Sequence, residues 1–265
     1  MLHPLALLRT VWRSASVIVL VLAGLLMSLA VTVDVAEWLN RLKMAGWWHR
    51  RLFAILGIRV TVHGTPLAGA HLTVSNHVSW LDIPLMGSIE PLRFIAKSEI
   101  RNWPLAGWLA TGAGSFYIRR GKGGARPLLD RLTVYLRNGG AIVLFPEGTT
   151  TDGKQVLPFH ARMFAAAIEA PCPIQPVALR YHPTADGRHI APFIGNDDLL
   201  RHVLRVLREP RLDIDVTYCP PLNVDGYERA ELAIHAQRAI ERALGLADAE
   251  RAPPQAQASL AALAA

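Results

Sequence analysis

Only two cysteines, Cys172 and Cys219, occur in the 265 residues. So few, and so isolated, they build neither a disulfide framework nor a thiolate zinc site, and they fit a reducing compartment as small buried hydrophobes. The phosphate-loop pattern G-x-x-x-x-G-K-[ST] is missing. So is the G-x-S-x-G setting of a serine nucleophile. No zinc finger, RNA-binding motif or internal repeat is present, so the strong positive charge has no nucleic-acid motif to serve. Charge itself is missing from residues 14–33.

What is present is apolar and basic. Hydrophobic residues make up 51%, mean hydropathy is +0.24, the formal charge is +7 and the pI is about 9.9. That charge suits anionic surfaces, and the apolar content favours lipid headgroups over nucleic acid. The length is enough for one α/β domain with a full core.

As a helix, residues 14–33 are about 30 Å long, the thickness of a bilayer's hydrocarbon layer. No small-x-small cleavage site follows, so a retained anchor is expected rather than a signal peptide. Arg9 and Arg13 precede the run, and Arg41, Lys43, Arg50 and Arg51 follow it, so positive charge does not decide orientation. Trp38, Trp47 and Trp48 are interleaved with the later basic residues, as in a helix lying among headgroups. A hairpin entering and leaving one leaflet reconciles these features; a bitopic span is the alternative.

Beyond it, strands are expected over residues 57–64, 71–75, 92–96, 115–118, 141–145, 173–181 and 212–218. Helices are expected over 80–87, 97–111 with an interruption near Pro104, 127–138, 162–169, 196–207 and 227–244. This alternation predicts an α/β layered domain with a largely parallel or mixed sheet. Past residue 247 the chain turns to Ala, Pro and Gln, the composition of a disordered tail.

The most informative stretch is Asn76-His77-Val78-Ser79-Trp80-Leu81-Asp82, directly after an expected strand. A neutral, oriented imidazole can take a proton from an alcohol near neutral pH. A carboxylate on its far nitrogen fixes the tautomer and stabilises the imidazolium. The pair suggests a base acting directly on a substrate hydroxyl; its plain alternative is a capped helix start with a satisfied histidine. Arg119 and Arg120 end a strand and precede Gly121-Lys-Gly-Gly124, a setting for bidentate anion contact or a solvated surface pair. Phe145-Pro-Glu147-Gly148-Thr149 follows a buried strand. A turn there puts Glu147 where open α/β sheets bind ligands, or leaves it a solvated acid.

Taken in order, Asn76-His77-x4-Asp82, Phe116-Tyr-Ile-Arg119-Arg120, Phe145-Pro-Glu147-Gly148-Thr149 and Ile174-Gln-Pro176-Val177 resemble the glycerolipid acyltransferase family. The resemblance implies a layered mixed sheet flanked by helices: membrane-associated helices over 1–56, a catalytic domain over 57–247 and a tail over 248–265. It implies His77 as general base with Asp82 orienting it, and Arg119 or Arg120 on the acceptor's anionic headgroup. Glu147, with Gly148 and Thr149, would hold the acceptor's polar group, while Ile174 to Val177 would shape the core and tunnel. It further implies an acyl donor on coenzyme A or acyl carrier protein as co-substrate, with no other cofactor and no metal. The implied partners are a lipid acceptor and the bilayer, at a bacterial inner membrane with the catalytic domain cytoplasmic. The acceptor so implied is 1-acyl-sn-glycerol-3-phosphate, giving phosphatidic acid. Two departures point elsewhere: Thr150 stands where such enzymes often carry arginine, and His160 where they often carry lysine. The run from Thr150 to Phe159 looks closer to relatives that acylate lyso-ornithine lipid, which is the alternative acceptor. Two rivals from other classes are a hydrolase using Ser79 or Ser115, and a lipid-binding scaffold without catalysis.

Overall fold

The computed structural model describes residues 4–34, 36–118 and 125–246. Two helices come first, α1 (Pro4–Val33) and α2 (Arg41–Leu56). Asn40 caps α2 by accepting from the Lys43 N–H, and Gly57 ends it in a left-handed conformation. The strands are β1 (Ile58–His63), β2 (His71–Ser75), β3 (Arg93–Lys97), β4 (Phe116–Ile118), β5 (Ala141–Leu144), β6 (Ile174–Tyr181) and β7 (Leu212–Tyr218). Between and after them lie α3 (Asp82–Ile89), α4 (Ala106–Gly112), α5 (Ala125–Arg137), α6 (Ala165–Glu169), α7 (Leu199–Arg208) and α8 (Arg229–Ala243).

The described strands form one seven-stranded sheet in the order β1-β7-β6-β2-β5-β3-β4. Neighbours from β6 to β4 run parallel, β6 and β7 are antiparallel, and β1 is parallel to β7. The expected mixed, helix-flanked sheet is therefore present. Alternate side chains divide its core into two layers. Ile142 and Leu144 of β5 pack with α5, α6 and α8, whereas Val143 packs with α2, α3 and α7. Strands buried on both faces explain the near-continuous apolar runs of β2, β5 and β6.

The helix expected over 97–111 comes in two pieces. A 3-10 turn spans Ser98–Asn102, and α4 starts only at Ala106, after Leu105 at φ 64°. Pro104 lacks an N–H and disfavours helical geometry in the residue before it, so the chain must re-enter the helix. Residues 162–169 likewise open as a 3-10 turn, Ala161–Phe164. The segment over 248–265 lies outside the described residues.

Helix α1 is long and apolar enough to cross a membrane, yet one face is docked along the domain. At one end the Arg9 and Arg13 guanidinium groups donate to carbonyls of Arg208, Glu209 and Pro210, where α7 finishes. Such carbonyls lack helical partners, and a cation there satisfies them and opposes the helix dipole. In the middle, Trp48 of α2 donates to the Leu20 carbonyl at 2.8 Å. Gly24 is needed beside it, since a Cβ there would meet Trp48 Nε1 at 2.6 Å and Leu109 Cδ2 at 2.7 Å. The opposite face exposes Leu8, Val19, Leu22, Leu26 and Leu29.

Candidate active site

His77 lies two residues past the carboxyl end of β2, over the edge where β5 and β6 also finish. Asn76 anchors the exit. Its side chain accepts from the Leu179 N–H at 2.8 Å and donates to the Leu179 carbonyl at 3.0 Å, replacing ladder bonds with β6. The chain can then leave the sheet without stranding buried backbone groups.

Asp82, the first residue of α3, is fully buried beneath this loop. Its Oδ2 accepts from His77 Nδ1 at 2.7 Å and from the N–H groups of Val78 and Ser79 at 2.7 and 3.0 Å. Its Oδ1 accepts from the Tyr181 hydroxyl at 2.6 Å. The phenol proton stays on Tyr181, whose pKa is pushed well up by burial and by the Asp82 charge. Four donors converge on this buried carboxylate, which accepts from all of them and is rigidly placed. Because an ionised carboxylate only accepts, the hydrogen of the shared bond sits on His77 Nδ1, leaving Nε2 with a lone pair. The His77 side chain is 19% exposed, so that lone pair can meet a solute. Phe145 stacks on the ring at 4.3 Å between centroids.

Glu147 is the residue expected to hold the acceptor's polar group. Its side chain turns inward and is 4% exposed. Oε1 accepts from the His77 N–H at 2.7 Å and Oε2 from the Leu157 N–H at 2.8 Å. Burial raises its pKa, and those two backbone bonds work in the opposite direction. With Thr151 N–H donating to the His77 carbonyl at 2.8 Å, both backbone groups of His77 are tied to the 147–151 turn. Gly148 and Thr149 form the exposed outer part of that turn. Arg119 and Arg120 lie outside the described residues. Gln175 and Ile174 are buried in β6, and Gln175 donates to the Cys219 carbonyl.

Tyr181, Phe145 and His202 were not singled out as site residues. His202 of α7 accepts from Trp80 Nε1 at 3.0 Å through Nδ1, so its Nε2 carries the hydrogen and faces the Ala191 and Pro192 carbonyls at 3.1 and 3.2 Å. Burial lowers its pKa, consistent with that neutral ring. The next residue, Phe193, donates to the Val78 carbonyl at 3.0 Å, and Thr150 Oγ1 donates to the Phe193 carbonyl. His202 thus holds a loop against the turn that carries His77 from a position more than a hundred residues away, with no local signal. Ser79 is fully buried, and Ser115 precedes the edge strand β4, with β3 and β5 between it and β2. Neither is presented beside His77 as a nucleophile.

A buried aspartate orienting a partly exposed histidine, at the carboxyl edge of a mixed sheet, is an arrangement able to take a proton from a substrate hydroxyl. Residues 59–180 match the family model described as Acyltransferase. The chain is also 44% identical over 247 residues to the lyso-ornithine lipid O-acyltransferase of Pseudomonas aeruginosa, covering 91% of this chain and 95% of that one. The chain belongs to this acyltransferase family, and it is an enzyme of lipid acylation. The 1-acyl-sn-glycerol-3-phosphate acyltransferase of Neisseria gonorrhoeae is 35% identical over 148 residues, 56% of this chain and 58% of that one. The fold matches the crystal structure of the 1-acyl-sn-glycerophosphate acyltransferase PlsC from Thermotoga maritima at TM-score 0.69 and 22% identity, covering 90% of this chain and 94% of that one.

Proposed function

We propose that this enzyme transfers a fatty acyl group from an acyl-CoA or acyl carrier protein thioester to the free hydroxyl of a lyso-ornithine lipid. The observation that carries the chemistry is His77, with Nδ1 committed to Asp82 and Nε2 facing outward. Nε2 takes the hydroxyl proton as the oxygen attacks the thioester carbonyl carbon. The C–S bond then breaks, and the imidazolium returns its proton to the departing thiolate. Asp82 stabilises the imidazolium in between. A thioester is already activated, so no enzyme-bound ester is needed.

Glu147 serves as a positioning residue, while Gly148 and Thr149, exposed beside it, face the acceptor. Arg119 and Arg120 are assigned to anionic groups of the substrates on the strength of the motif alone. The acceptor expected first, 1-acyl-sn-glycerol-3-phosphate, now takes second place. Supporting this choice are the extent of the lyso-ornithine relative's match and the chemistry of the turn. Thr150 spends its hydroxyl on the Phe193 carbonyl, and His160 stands beside Gly148. Permanent cations for a phosphomonoester are thus missing at both places.

The membrane contact we propose is monotopic. A helix bonded to the domain at Arg9, Arg13 and Leu20 cannot cross a bilayer without carrying the domain with it. Lying in one leaflet with its exposed leucines in the acyl layer satisfies both faces. The catalytic domain then sits on the cytoplasmic side of the inner membrane, where the donors are made.

The test is purified enzyme in lipid nanodiscs with labelled acyl donor and each lyso-lipid. Acylated lyso-ornithine product from wild type, lost in His77→Ala, is expected. Transfer to 1-acyl-sn-glycerol-3-phosphate alone would overturn the acceptor, and release of free fatty acid alone would overturn transfer. Protease protection with tags at both termini should place them on one side of a vesicle; opposite sides would establish a span.

A further inference from the structure

A second opening lies next to His77 on the same edge of the sheet. It is a cleft of about 210 Å³ between the 152–154 turn, the connection after β6 and the end of α8. Val78, the residue after His77, forms part of its wall, and its polar lining includes Asp152, Lys154, Arg180, His182 and His189. Open α/β sheets bind ligands in such crevices outside the carboxyl ends of their strands.

We propose that this cleft binds the headgroup of an acceptor that carries both an ammonium and a carboxylate. Asp152 takes the ammonium, and Lys154 with Arg180 takes the carboxylate. The inference rests on the lyso-ornithine reading above and adds the site that distinguishes this headgroup.

Three observations carry it. First, the lining places one carboxylate, Asp152, with two cations, Lys154 and Arg180, which complements a zwitterion. A phosphomonoester has no use for Asp152 and is repelled by it. Second, the side chains are set for contact. Asp152 Oδ1 accepts from the Lys154 N–H at 3.0 Å, orienting the carboxylate in a local turn, and its Oδ2 has no partner among the described residues. Arg180 donates through Nη2 to the Leu244 carbonyl, which anchors a guanidinium that has further donors to offer. His182 is held by Asp215 at 2.9 Å and serves as wall. Third, the cleft is registered to the catalytic base. Thr151 N–H donates to the His77 carbonyl at 2.8 Å, and Asp152 is the next residue, about 3.8 Å further along the backbone. Gly153, at φ 79°, packs the turn onto Val78, where a Cβ would meet Cγ2 at 3.5 Å. An acceptor whose free hydroxyl is a few bonds from its amino-acid headgroup can therefore fill the cleft and reach His77 together.

The experiment measures KM, or the inhibition constant where turnover is absent, for lyso-ornithine lipid and for 1-acyl-sn-glycerol-3-phosphate. Wild type, Asp152→Asn and Lys154→Ala are compared. Asp152→Asn should raise KM for the ornithine acceptor about tenfold while lowering the constant for the phosphate acceptor. Lys154→Ala should raise both. Effects of opposite sign cannot come from misfolding, which weakens both acceptors alike. Equal loss with both acceptors in Asp152→Asn, or no change beyond about twofold in either variant, overturns the site while leaving the acceptor reading intact. Wild type that ignores lyso-ornithine lipid overturns the acceptor reading and this inference with it.

Discussion

Strand β2 opens on one histidine and is followed two residues past its end by another, and each lies against a carboxylate that also takes a tyrosine hydroxyl. At the carboxyl end, His77 Nδ1 lies 2.7 Å from Asp82, which accepts from Tyr181. At the amino end, His71 Nε2 lies 3.4 Å from Glu90, which accepts from Tyr218 at 2.8 Å. The residue types are the same, but the second set is sealed. His71 is 2% exposed, and its Nδ1 is spent on the Gly69 carbonyl at 2.9 Å. No ring nitrogen there can reach a solute. A histidine, a carboxylate and a tyrosine in contact do not by themselves make a catalytic site. What sets His77 apart is access to its second ring nitrogen, together with a loop that holds the ring where strands end.

Breaking that comparison from both sides gives the largest expected effects. His77→Ala should lower kcat/KM by 10²–10⁴, about 3 to 5 kcal/mol, because it removes the general base. Its denaturation midpoint in detergent should stay close to wild type. His71→Ala should do the reverse, costing about 2 to 4 kcal/mol of stability by emptying a buried site. The folded fraction should keep its kcat. A His71→Ala enzyme that is stable but inactive would show that the sealed set takes part in the chemistry.

A third histidine sharpens the contrast further. His49 is buried between α2 and α3, and burial lowers its pKa to about 4. A depressed folded value means its stability contribution is fully present above the unfolded value near 6.5. It is lost as pH falls from there to about 4, where the loss approaches ~3 kcal/mol. Unfolding free energy measured between pH 7 and 4 should fall less steeply in His49→Gln. An unchanged slope would place the acid sensitivity elsewhere.

The two tyrosines should also separate. Tyr181→Phe removes a hydrogen bond to the anion that orients the base, and should cost about 2 kcal/mol in kcat, some thirtyfold. Tyr218→Phe should cost stability of similar size with kcat unchanged. Equal effects of both variants on kcat would erase the distinction between the ends. Smallest is Glu147→Gln. The amide keeps one acceptor but points a donor at one of two backbone N–H groups, and should lower kcat by about 1 kcal/mol, roughly fivefold. A rise in acceptor KM with kcat unchanged would instead return Glu147 to headgroup binding.

Reading the elements from sequence worked where one local signal dominated. The core strands are buried on both faces and short, so their apolar runs were visible, as was the charge-free run inside α1. Boundaries failed at residues 97–111 and 162–169, where 3-10 turns satisfy the backbone without the helical period. The spacing of His77 and Asp82 exposed the pair, because both lie on one loop and its following helix. Tyr181 sits 99 residues from Asp82 in sequence, and His202 sits 122 from Trp80. Only the parallel pairing of β2 with β6 and the docking of α7 bring them together.

By itself, the sequence determined the class of fold, the apolar first helix and the pairing of His77 with Asp82. Those depend on periodicity, composition and contacts within a few residues, which the chain specifies locally. Tertiary structure alone decided that Glu147 braces His77 from behind, that α1 is fastened along the domain, and that His77 is open while His71 is shut. Direction and exposure of a side chain are settled by whichever distant strand, helix or loop packs against it, and no local pattern encodes that neighbour.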